Sequence, residues 1–362
     1  MSGSPPILLH ALNHPENMAS LSLSSWDLLI RQARSAGLLT NLHDAIDRLG
    51  ELDSVPERPR NHLKSARTLT DKHQRDVHWE VSCILEALKA LKQPITLLKG
   101  TAYLIADLPV SKGRLFSDID ILVPKEAIEE VEQTLRLKGW MLTTHDAYDQ
   151  RYYRTWMHEL PPLRHATRNT VLDVHHNILP ETARLHPSPK KLLQAAISVN
   201  EDNSLYVLNP ADMVLHSATH LFHDGELEHG LRDLVDLDGL LRHFGGQEDF
   251  WLGLVERAGE MDLTRPLYYA LRYSKKFLGT PIPEETMIAS QTGSPPAFMP
   301  YWMDMLFLRA LAPDHRSCRD WFSGTARLLL FIRAHFLRMP LHLLIPHLFH
   351  KAFISPRSNG ET

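Results

Sequence analysis

The 362-residue sequence is long enough for two packed parts, and its 43% hydrophobic and 23% charged residues are typical of a folded globular protein. Its formal net charge of -4 provides no overall basic field, which disfavours a nucleic acid substrate. The two cysteines, Cys83 and Cys318, lie far apart, so we expect neither a disulfide framework nor a cysteine zinc site. Together with an N-terminus that lacks the basic region of a signal peptide, this favours a cytoplasmic protein.

The N-terminal region, residues 1–93, is predicted to be helical. Apolar residues recur there at helical spacing, for example at Val81, Ile84, Leu85 and Leu88. Pro94 then ends the pattern, because proline disfavours helix in the residue before it.

Residues 94–180 change to short apolar runs around one amphipathic helix, which runs from Pro124 to Gly139 and is the pattern of a mixed α/β layer. The runs predict strands at 95–98, 119–123, 140–143, 152–157, 164–166 and 170–175. The fold class is therefore α+β, with a small mixed β-sheet core flanked by N-terminal and C-terminal helical regions.

Residues 181–293 are predicted to form a helical domain that completes a cleft with the core, and residues 294–362 a C-terminal helical extension. The basic amphipathic stretch from Arg327 to Lys351 is compatible with peripheral contact with an anionic membrane, but we favour a terminal helix pair that covers the core. No run of about 18 uncharged apolar residues predicts a membrane span.

Two aspartates in the segment SDIDILV carry the strongest chemical signal. Strand alternation places Asp118 and Asp120 on one face of a strand and the intervening Ile119 on the other. Carboxylates at this spacing can share a magnesium site, since Mg²⁺ takes hard oxygen ligands and keeps room for phosphate oxygens.

A third carboxylate, Asp173, lies in a later apolar run, TVLDVHHNI. If the two strands are neighbours, three carboxylates meet at one end of the sheet. That set suffices for metal ions, Mg²⁺ or Mn²⁺, that polarise an attacking hydroxyl and neutralise a triphosphate.

Several motifs carry a resemblance to a known family. The segment LLKGTA, Arg114 ahead of DIDILV, the pair Gly139-Trp140 and the stretch LDVHH resemble uncharacterised bacterial nucleotidyltransferases of the DNA polymerase beta-like fold. The resemblance covers roughly residues 95–178 and implies an enzyme that binds a nucleoside triphosphate, ATP among the candidates.

The resemblance also implies roles for individual residues. Gly100 and Thr101 would contact the triphosphate through backbone and hydroxyl groups, while Asp118 and Asp120 would bind metal. Asp173 would complete the site and help to deprotonate the acceptor hydroxyl.

Other side chains are candidates on chemical grounds. Lys99 and Arg114 can bind phosphate as a point charge and as a bidentate donor, or they can form ion pairs with nearby aspartates. His175 shares a strand face with Asp173. Four residues are candidates for the lining of the cleft: Glu159, His175, His216 and His220.

The sequence thus predicts a metal-dependent nucleotidyltransferase that moves a nucleoside monophosphate to a hydroxyl of a small molecule or protein and releases pyrophosphate. Two alternatives remain open: a catalytically inactive nucleotide-binding or regulatory module, and an antitoxin-like enzyme that modifies a protein. The acceptor, the base preference, the pathway and the oligomeric state are not predicted.

Overall fold

The structure is a computed structural model and describes residues 6–143, 146–225 and 227–353. One hydrophobic core runs from the N-terminal helices through a central sheet into the helices that follow it. Within the described residues, no helix has both the length and the apolar character needed to cross a bilayer.

Four α-helices precede the sheet in the described residues: α1 (Ile7–Asn13), α2 (Leu23–Ser35), α3 (Leu39–Arg48) and α4 (Glu57–Leu88). In α4, Val77, Val81, Ile84 and Leu88 are buried at the spacing of one helix face. The predicted helical region is therefore observed, and the chain leaves it through Lys92 in a left-handed turn before Pro94.

The sheet has seven strands: β1 (Ile95–Leu97), β2 (Ile119–Leu122), β3 (Trp140–Leu142), β4 (Leu163–His165), β5 (Val171–His175), β6 (Ile197–Ser198) and β7 (Leu205–Val207). Their order is β3-β4-β5-β2-β1-β7-β6. Strand β2 lies near the centre, antiparallel to β1 and parallel to β5. Its four residues are all buried, as expected of a strand covered on both sides. The predicted α+β class is confirmed.

Among the described residues, three α-helices connect the strands from β1 to β4: α5 (Lys99–Ile105), α6 (Ile128–Leu137) and α7 (Ala147–Trp156). The prediction of a strand at 152–157 was wrong, because nearly all of that range lies in α7. Its aromatic residues favour strands in isolation. However, Asp146 caps the helix by accepting a hydrogen bond from the Tyr148 amide, and Arg154 forms a bidentate ion pair with Glu132 of α6.

Strands β6 and β7 come from the region predicted to be purely helical, so that prediction was incomplete. Their hairpin is closed by the side chains of Asn200 and Asp202, which accept hydrogen bonds from the Ser204 amide. Strand β7 then pairs in parallel with β1 and extends the sheet by two strands.

In the part of the chain that the structure describes, nine further α-helices follow β5: α8 (Pro189–Gln194), α9 (Pro210–Thr219), α10 (Gly230–Phe244), α11 (Phe250–Glu260), α12 (Thr264–Leu278), α13 (Glu284–Ala289), α14 (Met299–Ala310), α15 (Ser323–Arg338) and α16 (Leu341–Phe353). Helix α9 is buried along most of its length and packs against α10, α11 and α12. It faces the sheet near α5 and therefore forms one wall of the cleft described below.

Helix α15 packs closely on the turn that follows α9. Gly225 in this turn has φ +75°, and a Cβ there would lie 2.4 Å from the Cβ of Ala334 in α15. Glycine is thus needed both for the left-handed backbone and for the close approach of the helix. Arg333 adds a hydrogen bond of 2.8 Å to the Phe222 carbonyl.

Helix α9 is held by a buried ion pair, and breaking this pair should destabilise the fold. The Asp212 carboxylate is fully buried and accepts two hydrogen bonds of 2.8 Å from Arg257 of α11. We expect Asp212→Ala to lower the free energy of unfolding by about 3 kcal/mol, because it removes the buried partner of the guanidinium and leaves only the more exposed Glu260. Urea unfolding measures the change.

The matched control is Glu284→Ala, which removes an exposed ion pair with Lys275 and should change stability little. Equal stabilities of Asp212→Ala and the wild type would contradict the role assigned to the buried pair.

Candidate active site

The centre of the site is the pairing of strands β2 and β5. Asp120 and Asp173 lie directly opposite each other in this parallel pair, so their carboxylates are side by side on one face of the sheet. Asp118 immediately precedes β2 and accepts a 2.8 Å hydrogen bond from the Ser117 hydroxyl. Each of the three aspartates offers a carboxylate oxygen within 4.8 Å of the other two. The structure thus brings together the three carboxylates identified in the sequence.

The two paired aspartates have opposite electrostatic environments. Burial raises the pKa of Asp120, but Lys99 and the hydrogen bond from His175 outweigh burial and hold this pKa well below its usual range. Burial and the charge of Asp120 raise the pKa of Asp173 to about 8. Asp120 is therefore a permanent carboxylate, whereas Asp173 can hold or release a proton near neutral pH.

A buried histidine links Asp120 to a second carboxylate. The His175 Nε2 atom lies 3.0 Å from Asp120 Oδ1, and its Nδ1 atom lies 3.2 Å from Glu159 Oε2. Burial lowers the pKa of His175, but Glu159 and Asp120 outweigh it and raise this pKa above the ordinary value. The pair Glu159–His175 therefore orients Asp120, as outer-layer partners orient metal ligands in proteins.

The three aspartates fit a divalent cation. Asp173 Oδ1 is buried and has no hydrogen-bond partner among the described residues, so one strong acceptor faces the cluster unsatisfied. Carboxylate oxygens are the ligands that Mg²⁺ and Mn²⁺ prefer. His158, Glu159 and His175 form a second group with ligand atoms within 4.8 Å, but imidazole suits softer metals.

Lys99 lies beside the three aspartates. Its Nζ atom lies 3.7 Å from Asp120 Oδ1. The residue adopts φ +47°, a left-handed conformation that costs a side-chain-bearing residue roughly 1–2 kcal/mol. This strained turn between β1 and α5 directs the ammonium group to the carboxylates.

A cleft of about 330 Å³ opens beside the aspartates. Lys99, Gly100 and Thr101 line it at the start of α5, and Asp118 and Asp120 line it from β2. A Cβ at Gly100 would lie 2.6 Å from the Phe116 ring, so only glycine permits this packing. The Thr101 hydroxyl is buried and has no hydrogen-bond partner among the described residues.

Arg114 lies in the wall of this cleft, where it is held by other side chains. Its guanidinium forms a buried ion pair with Asp236 of α10 and lies over the rings of Tyr103 and Phe116. Burial lowers the pKa of Arg114, although the charge of Asp233 opposes this effect. The ion pair of Arg114 is buried and formed with the distant Asp236, not with the nearby aspartates expected from the sequence, and phosphate binding stays a prediction.

His216 in α9 and His220 just after it take different positions. His220 lines the cleft, and its Nδ1 atom lies 3.9 Å from Asp233 Oδ2. His216 is buried beside the aspartates, where burial and Lys99 lower its pKa well below the ordinary value. A buried neutral imidazole of this kind can orient neighbouring groups without adding positive charge.

The cleft residues that the sequence analysis did not single out include Ser217, Arg232, Asp233, Phe331 and Arg338. The charged residues of α10 could have been noticed, because Asp233 and Asp236 fall on the otherwise apolar face of a helical pattern. The C-terminal pair had no such signal, since only the folded chain brings α15 to the cleft.

A larger cavity of about 870 Å³ lies on the other side of α10, away from the aspartates. Its charged residues pair with one another, as in Arg67 with Asp44 and Arg242 with Asp238. We therefore assign the chemistry to the smaller cleft, where a carboxylate oxygen and a hydroxyl are left without protein partners.

The part of the chain that contains this site matches a known protein family. Residues 22–279 match the family described as "Uncharacterised nucleotidyltransferase". No curated protein matches the sequence. The family match contains the whole sheet and the three aspartates but ends before α13, so Phe331 and Arg338 lie outside it. Because the match spans well over half of the chain, the protein belongs to this uncharacterised nucleotidyltransferase family.

Proposed function

We propose that this protein transfers a nucleoside monophosphate from a nucleoside triphosphate to a hydroxyl group of a small molecule or a protein. The observation that carries the proposal is the pairing of Asp120 with Asp173, with Asp118 beside them. Family membership supports the reaction class, and the charge of -4 argues against a nucleic acid acceptor.

Asp118, Asp120 and Asp173 would hold a divalent metal, Mg²⁺ or Mn²⁺. When bound, the metal supplies positive charge that stabilises the triphosphate and the leaving pyrophosphate. Glu159 and His175 keep the Asp120 carboxylate ionised and correctly oriented for this role.

In the reaction, the acceptor oxygen forms a bond to the α-phosphorus while the bond from that phosphorus to the β-phosphate bridging oxygen breaks. Pyrophosphate leaves with the bonding electrons. The proton of the acceptor hydroxyl passes to Asp173, whose buried Oδ1 atom has no hydrogen-bond partner among the described residues and lies in the carboxylate cluster.

The cleft supplies groups for the phosphates. We propose that the Lys99 ammonium, the Thr101 hydroxyl and the backbone at Gly100 contact the triphosphate, because all three line the cleft beside the aspartates. Arg114 would act mainly by keeping the cleft in shape, because its ion pair with Asp236 holds α10 next to Gly100 at the start of α5. The helices of residues 181–293 contribute the opposite wall, with His216 behind it and His220 at its surface.

Nucleotide binding should require the first two aspartates. Isothermal titration with a nonhydrolysable analogue of each nucleoside triphosphate should show binding that depends on Mg²⁺. We expect Asp118→Asn/Asp120→Asn to weaken it by more than about tenfold, or about 1.4 kcal/mol.

The control Asp27→Asn/Asp53→Asn removes the same charge at exposed positions and should bind like the wild type. Metal-dependent binding that is unchanged in the Asp118→Asn/Asp120→Asn protein would contradict the site.

Turnover separates an enzyme from an inactive nucleotide-binding relative. With Mg²⁺, an α-labelled nucleoside triphosphate and pools of hydroxyl compounds or cellular proteins, we expect transfer of the label with equal release of pyrophosphate. The Asp173→Asn protein should transfer at least about 100-fold more slowly, because it lacks the base. Nucleotide binding without label transfer or pyrophosphate release would favour the inactive module.

In the absence of metal, the largely buried carboxylate of Asp173 should lower the free energy of unfolding. Its pKa rises from 3.8 to about 8 on folding, so the unfolded chain releases this proton first, and the free energy of unfolding falls as the pH rises from about 4 to about 8. In EDTA at pH 8.5, we expect Asp173→Asn to be more stable than the wild type by about 5 kcal/mol, and to lose the stabilisation by Mg²⁺.

Urea unfolding at pH 5 and pH 8.5 measures both effects. Asp304→Asn is a control that should change stability in the opposite direction. Burial raises the pKa of Asp304, but Arg272 and Lys276 outweigh burial and lower this pKa. Asp304→Asn should therefore lower the free energy of unfolding. A wild-type protein that is more stable than Asp173→Asn in EDTA at pH 8.5 would contradict the proposed environment of Asp173.

A further inference from the structure

Helix α15 exposes an apolar face. Its residues Ala326, Leu330 and Ala334 are buried against the protein. Its opposite side consists of Leu328, Leu329, Phe331, Ile332 and Phe336, which are 56%, 43%, 52%, 54% and 38% exposed. We call these five residues the α15 face. They form one continuous stripe, because each residue advances the helix by about 100°.

Basic residues lie beside the α15 face. At about 100° per residue, Arg338 falls on one flank together with Arg327, which is paired with Asp314. Arg333, on the other flank, donates to the Phe222 carbonyl and stays with the protein. Arg184, from outside the helix, lies over the Phe336 ring at 3.8 Å from its centroid. Helices that lie in a membrane interface have this arrangement, in which long basic side chains reach the headgroups beside a buried apolar stripe.

The apolar surface continues beyond α15. Helix α16 exposes Leu341, Ile345 and Leu348 at 52%, 63% and 45%, and Trp321 before α15 is 91% exposed. A surface of this extent is more than scattered apolar residues on a soluble protein and marks an interaction site.

The charge of residues 321–353 favours an anionic partner. Residues 321–353 contain Arg327, Arg333, Arg338 and Lys351 but no Asp or Glu, although the whole chain is acidic. A symmetric dimer through the α15 face would bring the arginines of both copies together, which is unfavourable. An apolar surface with basic borders is complementary to anionic headgroups above acyl chains.

We propose that the α15 face and its continuation on α16 dock on the surface of a bilayer that contains anionic phospholipids. Docking would place the mouth of the cleft at the bilayer surface, because Phe331 and Arg338 also line the cleft. The protein would lie on the membrane without crossing it, with the sheet and the aspartates on the aqueous side. The proposal does not depend on the nucleotidyl transfer reaction.

Vesicle co-sedimentation of the full-length protein tests the proposal. At low salt we expect most of the protein to sediment with vesicles of 70% phosphatidylcholine and 30% phosphatidylglycerol, and at least tenfold less with phosphatidylcholine alone. The variant Leu328→Glu/Ile332→Glu should lose binding to the anionic vesicles. Both positions are exposed, so circular dichroism and thermal melting should match the wild type.

The matched control is Leu137→Glu/Leu252→Glu, which changes two leucines of 86% and 62% exposure on α6 and α11 and should bind like the wild type. The Asp118→Asn/Asp120→Asn protein should also sediment with anionic vesicles, so failure of the reaction and failure of docking can be distinguished.

Three results would overturn the proposal: no binding to anionic vesicles at low salt, equal binding to both kinds of vesicle, or full binding by Leu328→Glu/Ile332→Glu. A dimer in light scattering that the same variant dissociates would instead assign the α15 face to a second copy of the chain.

Discussion

The structure of the site depends on one register, that of strands β2 and β5. Direct pairing of Asp120 with Asp173 places two carboxylates side by side in a largely buried environment, where charges of one sign repel strongly. The protein offsets this repulsion on one side only, by directing Lys99 and His175 to Asp120. A shift of the strand pairing by one residue would turn either carboxylate to the other face of the sheet.

The elements around this register supply its counter-charges and its walls. The turn at Lys99 and the segment at Glu159 belong to the sheet region, whereas His216 and Asp236 come from α9 and α10. The family match contains all of these elements. Helix α15 lies beyond the match and still contributes Phe331 and Arg338 to the cleft.

Much of the site could be predicted from local sequence, because period-2 alternation is enough to put Asp118 and Asp120 on one face and to mark the strand of Asp173. Their meeting depends on strand order, which the resemblance implied and the structure bears out. The aromatic residues of α7 were misread as a strand because the cap at Asp146 and the ion pair with Glu132 outweigh strand propensity. The hairpin of β6 and β7 was missed because strands of two and three residues carry too little periodicity.

Contacts between distant parts of the chain were outside the reach of sequence reasoning. Arg114 and Asp236 are 122 positions apart, and nothing local to either residue predicts that they pair. The approach of Ala334 to Gly225, which brings α15 to the cleft, is of the same kind. The basic, acid-free character of residues 321–353 was visible in the sequence, but its significance required the exposed face that the structure shows.

We propose that Asp118, Asp120 and Asp173 hold the divalent metal of this protein. Anomalous diffraction from a crystal soaked in Mn²⁺ locates the ion independently of activity. We expect an anomalous peak between these three carboxylates. No peak there, or a peak between His158, Glu159 and His175 instead, would contradict it.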